Sequence, residues 1–180
     1  MLERRSALAA VRPYSSPVLS IHERGGFTLT QVAGHDGAVA EQLAALVGDV
    51  PASVGTAITR DGRTIMRTGP AQFWIIAEGS PAADDVAQHL QGTCAVTPLS
   101  HGRVRIAVEG EPARDVLSKL MPIDFHPSAF GLAAFAMTGI HHTPVTVHCV
   151  ADNAFHLYVM RTFAQDLWEV ITDAALEFAA

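Results

Sequence analysis

Alternating apolar and polar positions predict a strand over 27–33 (Phe-Thr-Leu-Thr-Gln-Val-Ala), after which the pattern lengthens to a helical period with Val39, Leu43, Leu46 and Val47 on one face. Asp36 stands where a helix N-cap belongs, and Gly48 with Pro51 closes the helix. Strands over 56–61 and 63–68 follow, split by the Asp61-Gly62 turn signal, then the nearly continuous apolar run Gln-Phe-Trp-Ile-Ile-Ala-Glu at 72–78. Ser80 as N-cap and Pro81 at the first helical position open a second helix. The order is β-α-β-β-β-α.

The second half of the chain repeats it, with strands at 103–109, 133–140, 144–150 and 154–160, a helix from about 111 to 120 and a final helix from about 162 to 178. The expected fold class is therefore α+β, two pseudo-repeated β-α-β-β-β-α lobes over 18–92 and 93–180, packed together. A single such unit leaves a sheet face or edge to be buried. The segment Cys-Ala-Val-Thr-Pro-Leu-Ser at 94–100 joins the lobes, and 1–17 is expected to be partly extended or flexible. In the last helix Phe163, Leu167, Val170, Ile171, Ala174 and Phe178 form one stripe, which Ala164, Trp168 and Ala175 widen beyond the ~100° that one sheet needs. Either the helix is wedged within the chain or Trp168 meets another one.

Composition narrows the function classes. The chain has 180 residues, 49% hydrophobic and only 17% charged, which excludes disorder and suits a subunit that hides surface in an assembly. A net charge of −6 offers no basic face to nucleic acid or anionic lipid, so neither is an expected partner. The first residues lack the apolar core of a signal peptide and no stretch approaches a membrane span, so a cytoplasmic location is expected. Cys94 and Cys149 lie in apolar, strand-like runs and suit reduced core thiols.

Nine histidines invite a metal reading, yet His22, His35, His89, His101, His126, His141, His142, His148 and His156 form no local zinc signature. His148 and His156 alternate with apolar residues and are expected on the outer faces of their strands. Asp124 and His126 are two apart, with Pro127 favouring an extended backbone, so a shared hydrogen bond can orient the imidazole as a general base requires. No serine in a strand-to-helix elbow completes such a site: Ser100, Ser118 and Ser128 all stand elsewhere. The competing reading, which we prefer, is that Asp124 and His126 tie down the loop after Met121-Pro122. Arg103 and Arg105 share the polar side of a strand, roughly 6–7 Å apart, and can clamp an anion or form a solvated or partner-facing edge.

Several short motifs carry a joint resemblance: Gly69-Pro70 with Phe73-Trp74, Leu99-Ser100-His101-Gly102-Arg103, Gly110-Glu111-Pro112-Ala113 with Leu117, Asp124-Phe125-His126-Pro127, Phe130, and Arg161-Thr162-Phe163-Ala164 with Leu167-Trp168. In this order and spacing the chain resembles the gamma subunit of heterotetrameric sarcosine oxidase, most closely over 99–178. The resemblance implies a non-catalytic subunit of a complex that oxidatively demethylates sarcosine and passes the one-carbon unit to tetrahydrofolate. It implies larger flavoprotein subunits (alpha, beta and delta) as partners, and places FAD, FMN, NAD, zinc and tetrahydrofolate in those partners. The implied fold is aminomethyltransferase-like, similar to the folate-binding enzyme of glycine cleavage. His101, Arg103, Arg105, Asp124, His126, Arg161 and Trp168 become candidate partner-interface or family-motif residues, with no catalytic, cofactor or metal residue in the chain itself. The N-terminal half fits less well, which leaves sister complexes acting on dimethylglycine or N-methylglutamate open. The alternatives are a stand-alone folate-binding aminomethyltransferase-like protein and a histidine-based metal enzyme.

Overall fold

A computed structural model describes residues 5–35, 38–79, 86, 89, 90, 92 and 94–179. The expected caps Asp36, Ser80 and Pro81, and most of the helix predicted after Ser80-Pro81, lie outside the described residues.

The chain forms two compact units. One comprises Gly26–His101 with Ala133–Phe135. Its sheet has the order β4-β5-β6-β3-β7, built from β3 (Phe27–Ala33), β4 (Ala57–Arg60), β5 (Arg63–Gly69), β6 (Gln72–Glu78) and β7 (Ala95–Pro98). Helix α1 (Ala38–Val47) lays Val39 and Leu43 onto Val32, Ile65, Phe73 and Ile75, with Val86 and Leu90 in the same core. The alternation seen in the sequence thus turns one face of the sheet towards the helix. The β4–β5 turn uses Asp61 and Gly62, both with positive φ (50° and 73°), which matches the twist of a tight hairpin.

The other unit comprises Met1–Gly25, Gly102–Leu132 and Ala136–Ala180. Its sheet runs β1-β2-β8-β11-β10-β9, from β1 (Tyr14–Ser15), β2 (Leu19–Glu23), β8 (Arg103–Gly110), β9 (Phe135–Ile140), β10 (Thr143–Ala151) and β11 (Ala154–Met160). Helices α2 (Ala113–Leu120) and α3 (Ala164–Ala175) pack on each other. Single 3-10 turns at Arg161–Phe163 and Leu176–Phe178 flank α3. The buried side of α3 holds Ala164, Leu167, Trp168, Ile171 and Ala175.

Two strands fall outside the lobe boundaries expected from sequence. Strand β2, placed with the first lobe, pairs with β8 in the register Leu19↔Gly110 and Ile21↔Val108. Strand β7, taken as the start of the second lobe, pairs with β3 (Thr30↔Pro98, Ala33↔Ala95). Edge pairing is decided by which strand lies open in space, and periodicity along the chain carries no record of it. The N-terminal segment is anchored where it is described: Leu8 is buried, Tyr14 pairs with Ile21, and the Tyr14 hydroxyl donates to the Ala175 carbonyl at 2.9 Å.

Candidate functional site

The residues that suggested an active site sit at opposite ends of one sheet. His101 is exposed in the turn before β8, and the Gly102 carbonyl accepts the Arg161 N–H at 3.0 Å, which brings the Leu-Ser-His-Gly-Arg and Arg-Thr-Phe-Ala motifs together. The loop holding Asp124 and His126 is tied to the other end. Arg114 of α2 donates from Nη1 to the Phe125 and Phe130 carbonyls (2.6 and 3.0 Å) and from Nε to that of Asp152 (2.9 Å) in the β10–β11 turn. The neighbouring Asn153 carbonyl accepts the Gly110 N–H, so this is the Gly110 end of β8. From Arg103 to Gly110 the strand rises by roughly 23 Å, far beyond any shared hydrogen bond. His101 and Arg103 therefore do not converge with Asp124 and His126.

Within the loop, the Asp124 carboxylate accepts the backbone N–H of His126 at 2.9 Å, an Asx turn, and the His126 carbonyl accepts N–H groups from Ala129 and Phe130. The His126 ring lies 2.7 Å, Nδ1 to Oγ, from Ser128. Phe125 and Phe130 meet edge-on at 5.4 Å, and Phe125 also meets Phe155 edge-on at 5.7 Å. The carboxylate orients backbone rather than imidazole, as the loop-tying reading expects. Arg114, which sequence reasoning passed over, organises this loop, and its guanidinium also lies 5.1 Å from the Phe155 ring centre. A cation in the first turn of a helix opposes the helix dipole, and that was the available signal. Replacing it (Arg114→Met) is expected to cost about 2 kcal/mol and to speed amide exchange over 121–131, measured by denaturation and exchange mass spectrometry.

Arg105 corrects the expected outward edge. It is 1% exposed, and donates from Nε to the Arg24 carbonyl at 3.0 Å and from Nη2 to the Gly25 carbonyl at 3.4 Å. Arg103 is half-buried, with Nη1 donating to the Gly102 carbonyl at 3.3 Å, and burial lowers its pKa. Arg105 is buried and bonds the Arg24 and Gly25 carbonyls, so the two arginines do not present an open anion clamp. His148 and His156 are likewise buried rather than on an open face, at 3% and 8% exposure. They oppose each other across β10 and β11, and the row continues through Ala107 to His22. The adjacent row is Arg105, Tyr158 and Thr146. Among the described residues no group of His, Cys, Asp and Glu is placed to hold a metal ion.

Burial drives the His148 pKa down to about 4. The unfolded chain then takes up a proton first, near pH 6.5, so stability falls as pH drops from about 6.5 to about 4 and is fully present above that window. The expected loss is at most about 3 kcal/mol, read as a pH-dependent unfolding midpoint whose slope flattens in His148→Gln.

Trp168 is 6% exposed and lines a small depression with Leu8, Val11, Pro13 and His22, so it packs within its own unit. Arg161 is exposed, and its guanidinium donates to the Arg5 carbonyl.

With this geometry in place, comparison with known proteins identifies the class. Residues 55–180 match the GCVT N-terminal domain family. The glycine cleavage system aminomethyltransferase T from Bartonella henselae shares the fold, with a TM-score of 0.60 at 18% identity over 87% of this chain and 46% of that one. The fold is aminomethyltransferase-like α+β. A much nearer match is a chain of the heterotetrameric sarcosine oxidase from Corynebacterium sp. U-96, in complex with pyrrole 2-carboxylate. There the TM-score is 0.88 at 28% identity, covering 98% of this chain and 97% of that one. Sarcosine oxidase subunit gamma of Corynebacterium sp. (strain U-96) is 32% identical over 155 residues, 84% of this chain and 75% of the relative. That of Arthrobacter sp is 32% identical over 151 residues, 82% and 72%. The chain belongs to the family of sarcosine oxidase gamma subunits.

Proposed function

We propose that this chain is a non-catalytic, assembly-supporting subunit of a complex that oxidatively demethylates sarcosine and passes the one-carbon unit to tetrahydrofolate. In this reading its partners are larger flavoprotein subunits in the cytoplasm, and FAD, FMN, NAD, zinc and tetrahydrofolate are held by them. One observation carries it furthest: two side chains of the set that suggested an active site bond the chain's own backbone, Arg105 the Arg24 and Gly25 carbonyls and Asp124 the His126 N–H. Groups used in this way brace the fold rather than form a reaction centre. No helix of the described residues is long and apolar enough to cross a membrane.

We read the two sheets as descendants of one duplicated unit, each contributing a bed for partners. In support, β4-β5-β6-β3 and β9-β10-β11-β8 share the order second, third, fourth, first strand of the unit, and each sheet carries an added strand beside its first. The isolated chain, mixed with sarcosine, is expected to show no flavin absorbance and to produce no peroxide; sarcosine-dependent turnover by the chain alone would overturn the proposal. Tetrahydrofolate binding by calorimetry would instead favour a stand-alone one-carbon protein.

A further inference from the structure

The edges of the two sheets are not equally protected. Strand β1 is two residues long and lies between Pro13 and Pro17. Strand β4 has four residues and ends on exposed Thr59 and Arg60, and β7 has four and ends on Pro98. Short length, charge and proline are the devices that keep an open edge from pairing with another chain. Strand β9 carries neither charge nor proline. It is six residues long, Phe-Ala-Met-Thr-Gly-Ile, with Met137 57% exposed. From Pro127 to Ala151 there is no Asp, Glu, Lys or Arg, in a chain of net charge −6. Leu132, just before the strand, is 69% exposed.

Backbone geometry says which groups the edge offers. The Phe135 N–H is taken by the Gly55 carbonyl at 3.0 Å, so the start of the strand is closed. Strand alternation turns the N–H and C=O of Met137 and Gly139 to that same side.

We infer that the outer edge of β9, from Met137 to Gly139, is the docking line for an extended, uncharged segment of another subunit in the complex. Such a segment adds to the sheet by main-chain hydrogen bonds, and Met137 and Leu132 supply apolar contact. The charge-free stretch selects a neutral partner, since a charged segment would lose its hydration against Met137 without gaining an ion pair. The occupant is taken to be a non-identical chain because the solved relative, matched over 97% of its length, comes from a heterotetramer. This inference rests on the functional reading above and names the surface that reading requires.

The test co-expresses the tagged chain with the larger subunits and compares wild type, Met137→Lys and, as a control of similar exposure elsewhere, Leu176→Lys. Met137→Lys is expected to reduce recovery of the larger subunits at least roughly tenfold, with the circular dichroism and melting of the isolated chain unchanged. Leu176→Lys should recover them as wild type does, and the Met137 and Gly139 amides should exchange more slowly in the wild-type complex. Undiminished recovery with Met137→Lys, or equal loss in both variants, overturns the edge assignment while leaving the subunit reading intact. A homodimer of the isolated chain that Met137→Lys dissolves also overturns it, in favour of a second copy. Failure of the wild type itself to recover larger subunits removes both.

Discussion

Replacing Gly110 by alanine is expected to destabilise the unit that contains β2 and β8 by roughly 4 kcal/mol or more, placing it among the most damaging single substitutions. Gly110 has φ +137°, a region that residues with a Cβ rarely enter, and a Cβ there would stand 2.0 Å from the Val18 carbonyl oxygen and 2.9 Å from the Leu19 Cα. Both obstacles are backbone, so no rotamer change relieves them. The chain must either break the Leu19↔Gly110 pairing or shift β2 along β8. A shift by one residue would turn Leu19 and Ile21 out of the core. The expected observation is a large drop in the urea midpoint with rapid amide exchange over 19–23; a wild-type midpoint would show that β2 is not held in this register. The glycine that opens the Gly-Glu-Pro-Ala motif is thus there because another strand's backbone passes over it.

The second large effect is expected from Arg105→Ala, at about 4 kcal/mol. Its guanidinium is taken out of water almost completely, and its bonds to Arg24 and Gly25 hold the chain where it leaves one unit for the other. Truncation strands two carbonyls and opens a cavity on the buried polar face beside Tyr158. Arg105→Met removes the charge as Arg105→Ala does but keeps most of the volume, so it should lose less, since it leaves a smaller cavity. Chemical denaturation of both variants checks the order; equal, small losses would mean that the buried guanidinium contributes little.

These two residues mark where sequence was informative and where it was not. Strand and helix positions were legible because burial imposes the periods two and 3.6 directly on the side chains, as with Val32, Phe73 and Ile75 facing Val39 and Leu43. The Asx turn of Asp124 was legible because it is local. Arg105, His148 and His156 were placed on an open face because alternation reports which side of a strand is polar, not whether that side is covered. The pairing of β2 with β8, and of β7 with β3, depends on contacts between distant segments and left no periodic trace. Trp168 was undecided between its own core and a neighbour for the same reason: a wide apolar stripe states how much surface is buried and is silent about what buries it. The family resemblance succeeded where single motifs were weak, because their joint order reflects backbone needs such as Gly110 and the Arg161–Gly102 bond.

The central claim is that this chain works as one part of a multi-chain oxidase rather than alone. Native mass spectrometry of the tagged chain, expressed together with the larger subunits, tests it most directly. The account predicts one copy bound in a flavin-containing hetero-oligomer that oxidises sarcosine, and a chain that is colourless and inactive when expressed by itself. A tagged chain that emerges alone from the co-expression, or that turns over sarcosine without partners, would contradict it.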